Sequence, residues 1–336
     1  MVASLVPVRY SHVKEPKPAT PFNIVVPPAD FNAKKADDVD LVKHGYPPRP
    51  DGNASPRHQA LWERIIERPF RVISPAQLTK NESLRPAQMP AIAVERLNTG
   101  GWAGALNTSL PSGWSFSHVG AEWTVPNATI YWSNEVPNGS NQTNAYVGLA
   151  GTLTGTPTFP GNYPLVALGT TSNCTVVNGV VEPGSQTALA WFRSYGEVFE
   201  LNIPVSPGDK VGASIYGTGL GSTPLTTTTF QFWNFTQGLS TSVNWSNAAF
   251  EATICQWLVG SQPYLVDENL PSPYPLTSGL VFSDTLAIGI SATQTESTEV
   301  DLTSATLLNT VLPSGVESVT VELSPESFEI QECCIL

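Results

Sequence analysis

The chain has 336 residues, enough for one large all-β domain or a domain with an appendage, and its 41% apolar content can fill a sizeable core. Only 13% of residues are charged, and 28 acidic against 16 basic side chains give a formal net charge of -12, a balance that repels nucleic acid. No apolar run reaches the roughly 18 to 20 residues that span a bilayer, so no stable membrane association is expected. No cysteine has the spaced His or Asp companions of a ligand set, and neither a metal nor another cofactor is expected.

Residues 1 to about 95 are rich in Pro and charge, with VVPPADF, GYPPRPDG and PAQLTKNESLRPAQMP around a single predicted helix. That helix runs from about Pro56 to Arg68, capped by Ser55 and closed by Pro69, with Leu61, Ile65 and Ile66 near one stripe. With Trp62 and Phe70 these residues form an apolar side that needs a partner, because such a segment cannot bury a core alone. The expected organisation is an extension over residues 1–95, wrapping the next domain or forming a lid over its groove, and a β-sandwich domain over 96–336.

From about Trp102 the period becomes two. WSFSHVGAEWTVP, NAYVGLAG, YPLVALG, TALAWFRSYG, VFELNIPV, KVGASIYG, TFQFWNFT, EATICQWLV, LAIGISA and SVTVELS are short runs separated by turn residues, and they predict two packed antiparallel sheets. PGD at 207–209 predicts a tight turn. His118 falls in one of these strands and is expected to face solvent. No motif places His12, His44, His58 or His118 beside a Ser or Cys nucleophile, so triad chemistry is not expected.

Nine Asn-x-Ser/Thr triplets begin at Asn53, Asn81, Asn107, Asn127, Asn138, Asn141, Asn173, Asn234 and Asn244. Beside the low charge and high Gly, Pro, Ser and Thr content they favour a secreted glycoprotein. The opening MVASLVPVRYSH lacks the features of a signal peptide, which is expected to have been removed, the less favoured alternative being a cytoplasmic protein. Cys174 and Cys255 lie in the body of the domain, and whether they pair is open. The final CCIL has the form of a prenylation box, a modification that competes with secretion because the transferase is cytosolic.

A family resemblance is carried by an ordered run of segments. GGWAGAL (100–106), GAEWTVP (120–126), AYVGLAG (145–151), ALAWFRSY (188–195), VSPGDKV (205–211) and FWNFTQGLSTSVNWS (232–246) resemble the fungal glutamic peptidases called eqolisins, over about residues 98–290. The resemblance implies a concanavalin-like antiparallel β-sandwich with a concave, substrate-binding sheet. It also implies a catalytic glutamine and glutamate, and here the chain departs from the family. Against ILQTG it reads LVALG, placing Ala167 at the glutamine; against AEWIVE it reads CQWLVG, placing Gly260 at the glutamate. Neither residue can take up a proton or donate a side-chain hydrogen bond, so peptide hydrolysis by the family mechanism is expected to be absent.

Other departures run the same way. Tyr146 matches an aromatic groove residue and Trp191 is retained, while Ala150, Leu189 and Arg193 replace acids. With period two, Leu189, Trp191 and Arg193 share one face, as do Gln256, Leu258 and Gly260, and with Tyr146 and Ala167 they are expected to line one concave surface. Trp257 points the other way, into the core. Arg193 and Gln256 are the candidate catalytic donors and the remaining residues the binding surface, for small apolar or aromatic molecules. The chain is also similar to secreted fungal hetero-Diels–Alder enzymes of tropolone sesquiterpenoid pathways. That similarity implies joining a tropolone-derived quinone methide to a humulene-type polyene, chemistry that needs a shaped cavity and a hydrogen-bond donor rather than a nucleophile. The alternatives are a non-catalytic ligand-binding or cell-wall protein on the peptidase fold, or a hydrolase using non-family residues.

Overall fold

The computed structural model describes residues 26–52, 54–67, 71–72, 78–80, 102–128, 139–153, 164–194, 197–218, 225–260, 279–293, 296–311 and 316–334. The chain forms β1 (Trp102–Asn107), which none of the predicted runs covers, and then the predicted strands, most of them longer than their apolar runs: β2 (Trp114–Thr124), β3 (Gly139–Leu153), β4 (Pro164–Val177), β5 (Thr187–Ser194), β6 (Glu197–Glu200), β7 (Lys210–Thr218), β8 (Leu225–Asn234), β9 (Leu239–Gly260) and β10 (Leu280–Ser291). Beyond them lie β11 (Ser297–Val300), β12 (Thr306–Leu308), β13 (Val316–Ser324), which is the predicted SVTVELS strand, and β14 (Ser327–Cys334). The run VFELNIPV is strand only to Glu200, because Asn202 adopts a left-handed backbone with φ 40 and Pro204 cannot donate to a ladder. The predicted turn at PGD holds: Gly208 takes φ 87, and the Asp209 carboxylate accepts from the Ser206 N–H at 2.9 Å.

Two antiparallel layers result. One runs β11–β10–β2–β7–β8–β9 and the other β12–β1–β9–β3–β4–β5–β6. The 22-residue β9 belongs to both: it pairs with β8 as far as Phe250, across a register shift after Ser246, and with β3 from Glu251. Between the layers Trp123, Trp257, Phe192, Phe230 and Phe282 are buried in one cluster. The two indoles tie the layers together, Trp257 Nε1 donating to the Gly120 carbonyl at 2.9 Å and Trp123 Nε1 to Thr170 Oγ1 at 3.1 Å. Trp257 is thus a core residue, as its parity indicates.

The extension docks on the outer face of the β2–β7–β10 layer. Helix α2 (Pro56–Ile66) has the expected Ser55 cap, whose side chain accepts from the His58 N–H, and it buries Trp62, Ile65 and Ile66. A second helix, α1 (Asp38–Lys43), is too short to show as a periodic pattern. Its C-terminal end is held by the sheet: Asn244 Nδ2 donates to the Val42 carbonyl at 3.4 Å, and just past the cap Gln231 Nε2 and Ser242 Oγ donate to the Gly45 carbonyl at 2.8 and 2.9 Å. Arg64 pairs with the nearly buried Glu122 at 3.0 Å, and Arg57 with Glu299 at 3.1 Å. The chain then adds Arg71 and Val72 alongside β9, and Thr79 and Lys80 to the edge of β6. The expectation of a lid over the groove is therefore not met by the described helices, which cover the opposite side of the sandwich. Phe70 lies outside the described residues.

One open question is settled and two further expectations are corrected. Cys174 and Cys255 are free thiols. Cys255 shares a rung with Leu149 and Val166, whereas Cys174 stands eight residues farther along β4, about 26 Å at 3.3 Å per residue, far beyond disulfide reach. The sequon residues Asn107, Asn234 and Asn244 are 0% exposed and closed to a glycan in the folded chain. Their amides are structural: Asn107 Nδ2 donates to the Asp301 carbonyl, Asn234 Nδ2 to Asp209 at 2.7 Å, and Asn244 reaches α1. His118 does not face solvent; it lies 6% exposed beneath α2. Of the other sequons, Asn127 is exposed and Asn173 half-buried, Asn141 is in β3, and Asn53, Asn81 and Asn138 lie outside the described residues. Cys333, the cysteine of the prenylation box, is paired opposite Glu317 within β14.

Candidate functional site

The outer face of the β1–β9–β3–β4–β5–β6 layer carries the residues singled out above. Strand register arranges them as three rungs. The first reads Leu106, Gln256, Gly148, Ala167, Arg193, Val198; the second Gly104, Leu258, Tyr146, Gly169, Trp191, Glu200; the third Trp102, Gly260, Asn144, Thr171, Leu189. All eight predicted site residues thus share one face. Ala150 lies on it as well, opposite Ile254.

Register also separates two residues that the sequence had paired. Gln256 stands on the rung of Ala167, with only Gly148 between them. Gly260 lies four residues farther along β9, about 13 Å at 3.3 Å per residue, too far to share a reacting atom with position 167. The third rung is instead a polar tether, where Asn144 Nδ2 donates to the Gly260 carbonyl at 3.4 Å and Thr171 Oγ1 to Asn144 Oδ1 at 2.6 Å.

The centre of the face is apolar and aromatic. Leu106, Tyr146, Ala167, Trp191, Val198, Leu258 and Leu308 form one buried cluster, with Leu189 and Ile254 packed against it. Tyr146 and Trp191 lie on strands two apart, yet their ring centroids are 5.9 Å apart and tilted by 54°. The position between them is Gly169, where a Cβ would stand 2.2 Å from the Ala145 carbonyl oxygen and 2.5 Å from Tyr146 Cβ. Glycine is needed there for the close approach of the backbone rather than for a special φ. At the rim, Gly104 donates its N–H to Thr320 Oγ1 at 2.9 Å, fastening β13 beside β1.

These residues do not form an open groove. Tyr146 is 3% exposed, Trp191 7% and Arg193 8%. Burial pushes the Tyr146 phenol above its ordinary range, with the nearby Arg193 charge opposing the shift, so Tyr146 is a neutral donor and acceptor. Among the described residues the buried Trp191 indole N–H has no hydrogen-bond partner. Leaving such a donor desolvated costs about 1 to 3 kcal/mol, so the site favours an added oxygen. The carboxylate on the three rungs is Glu200, which the sequence reading did not single out and which sits at the β6 edge. It is four strand spacings from Gln256, about 19 Å. Among the described residues no group of three His, Cys, Asp or Glu could hold a metal ion.

A Ser–His contact escaped the sequence reading altogether: His118 Nε2 is 2.7 Å from Ser214 Oγ, on facing strands of the other layer. Strand pairing alone brings them together, so no local motif announces it. Burial, with His58 adding to it, pulls the His118 imidazole down to about 3, making it a weak base, and Ser214 is itself buried. The pair is better suited to fixing a tautomer than to activating a nucleophile.

Among solved structures, the chain is similar to scytalido-glutamic peptidase with a peptide-based transition-state analogue, at 18% identity and TM-score 0.46, covering 69% of this chain and 98% of that one. It is also similar to the aspergilloglutamic peptidase from Aspergillus niger, at 18% identity and TM-score 0.41, covering 57% of this chain and 99% of that one. No curated protein matches the chain. The family profile extends the likeness past residue 290, through β13 and into β14: the Peptidase A4 family matches residues 100–331, and the chain belongs to that family.

Proposed function

We propose that the outer face of the β1–β9–β3–β4–β5–β6 layer is a non-hydrolytic binding site for a small apolar or aromatic molecule carrying a carbonyl or enolate oxygen. The observation that carries this reading is the first rung, which presents Gln256, Gly148, Ala167 and Arg193 where acid chemistry would require a carboxylate. Gln256 stands where its register would let a glutamate act with a residue at 167, and an amide cannot take a proton from water. Trp191 and Tyr146 supply the aromatic wall, Leu258 and Leu106 the aliphatic one. The Trp191 N–H and the Arg193 guanidinium supply donors for the ligand oxygen. Membership of the Peptidase A4 family supports a protein of the secretory pathway.

A cycloaddition enzyme is a second, narrower reading of the same face. What favours it is closure, since catalysis by shape requires two partners held away from water and an open platform would not do. Arg193 would then stabilise charge building on the carbonyl oxygen of a quinone-methide partner while the apolar wall receives a polyene.

Both readings predict that denatured protein substrates survive at pH 2 to 4, monitored by time-resolved mass spectrometry. Specific cleavage after removal of contaminating proteases would refute them. Tropolone titration tests the binding reading: saturable binding is expected, and its absence up to millimolar concentration would overturn the assignment of the face. Acceleration of adduct formation over the spontaneous background distinguishes catalysis from binding alone.

A further inference from the structure

A cavity of about 360 Å³ lies between α2 and the outer face of the β2–β7–β10 layer, on the opposite side of the sandwich from the face just described. We propose that it is a second ligand site, built jointly by the extension and the sheet, for a neutral ring-containing molecule with one hydroxyl group. The volume equals about a dozen waters at roughly 30 Å³ each, within the range of small-molecule sites. Leu61, Trp62 and Ile65 of α2 form one wall, and Ile288 and Ile290 of β10 form another.

Polar groups converge on one part of this apolar space. The His58 imidazole makes no hydrogen bond among the described residues, and its ring centroid stands 6.2 Å from that of His118. Ser214 occupies Nε2 of His118, leaving Nδ1 as that ring's remaining polar atom. Burial lowers the pKa of both rings, the nearby Glu299 and Asp51 opposing this at His58. Two neutral imidazoles offer donors and acceptors but no charge, which suits a hydroxyl.

The rim argues against an anion. Asp38, Asp51 and Glu296 line it against a single cation, Arg49. That guanidinium is already engaged, donating to the Lys34 and Ala36 carbonyls at 3.0 and 3.2 Å and lying over the Trp62 ring. An entering carboxylate would meet net negative charge and find no free guanidinium.

The probes are 2-naphthol, naphthalene and 2-naphthoate, titrated by calorimetry against the full chain. Binding of 2-naphthol is expected to be saturable and tighter than that of either analogue. Ile290→Trp, which fills the cavity, should weaken it at least about tenfold, with circular dichroism unchanged. If that variant fails to fold, Ile288→Phe applies the same test. His58→Phe should reduce 2-naphthol to the affinity of naphthalene, and Val180→Ala, at an exposed position outside the cavity lining, should leave it unaltered. Absence of saturable binding to the wild type, full affinity in a folded cavity-filled variant, or an affinity unchanged in folded His58→Phe would each overturn the proposal.

Discussion

Replacing His118 by Gln tests whether the extension seals the sheet as described. In the folded chain His118 is 6% exposed and its pKa is drawn down to about 3, against an ordinary value of 6.5. Between those values the unfolded chain binds a proton that the folded chain refuses, so stability falls as pH drops from 6.5 toward 3 and is flat in this respect outside that window. The full shift corresponds to roughly 5 kcal/mol at 1.36 kcal/mol per unit. Over the accessible interval from pH 6 to pH 4 the contribution is roughly 2 to 3 kcal/mol by the same linkage. His118→Gln keeps a polar group near Ser214 and removes the titration. Urea unfolding of both proteins at pH 6, 5 and 4 should show the wild type losing roughly 2 to 3 kcal/mol more than the variant. Parallel stability curves over that interval would refute a neutral, sealed His118, and with it the seating of α2 above it.

The other expectations concern the far face and the surface. Gly169→Ala drives a Cβ into the Ala145 carbonyl and Tyr146; it should cost about 1 to 3 kcal/mol, read as a fall in thermal midpoint, and alter tryptophan fluorescence as the Tyr146–Trp191 contact opens. Arg193→Met should weaken tropolone binding by about tenfold to a hundredfold, the loss of one charged donor, with the fold retained by circular dichroism; unchanged affinity would remove Arg193 from the site. Glycopeptide mapping of secreted protein should find Asn127 open to modification and Asn107, Asn234 and Asn244 bare; glycan at any of the buried three would contradict the burial of their amides.

Period-two runs were enough to read the sandwich, because strands buried on one face alternate whatever they pair with. The same parity put Trp257 in the core and grouped Arg193, Trp191 and Leu189 correctly. What parity cannot supply is register between distant strands, and that is where the reading slipped. Nothing local to CQWLVG tells whether Gln256 or Gly260 stands opposite Ala167; the ladders through β3 do. The buried sequons fail for a related reason: a triplet is local, while the burial of Asn234 depends on Asp209 and Pro204 in another part of the chain. Ser214 and His118 are 96 residues apart, and only the pairing of β2 with β7 makes them neighbours.

Strand β9 gives this sandwich a particular mechanical character. Its first half, at Ser242 and Asn244, holds α1, and its second half carries Gln256 and Leu258. One unbroken backbone therefore spans the anchorage of the extension and the apolar cluster around Tyr146 and Trp191. Peeling the extension away loads the same strand that closes the opposite layer, so the two layers should open together. Slow-exchanging amides along β9 should then share one opening free energy from end to end, that of global unfolding.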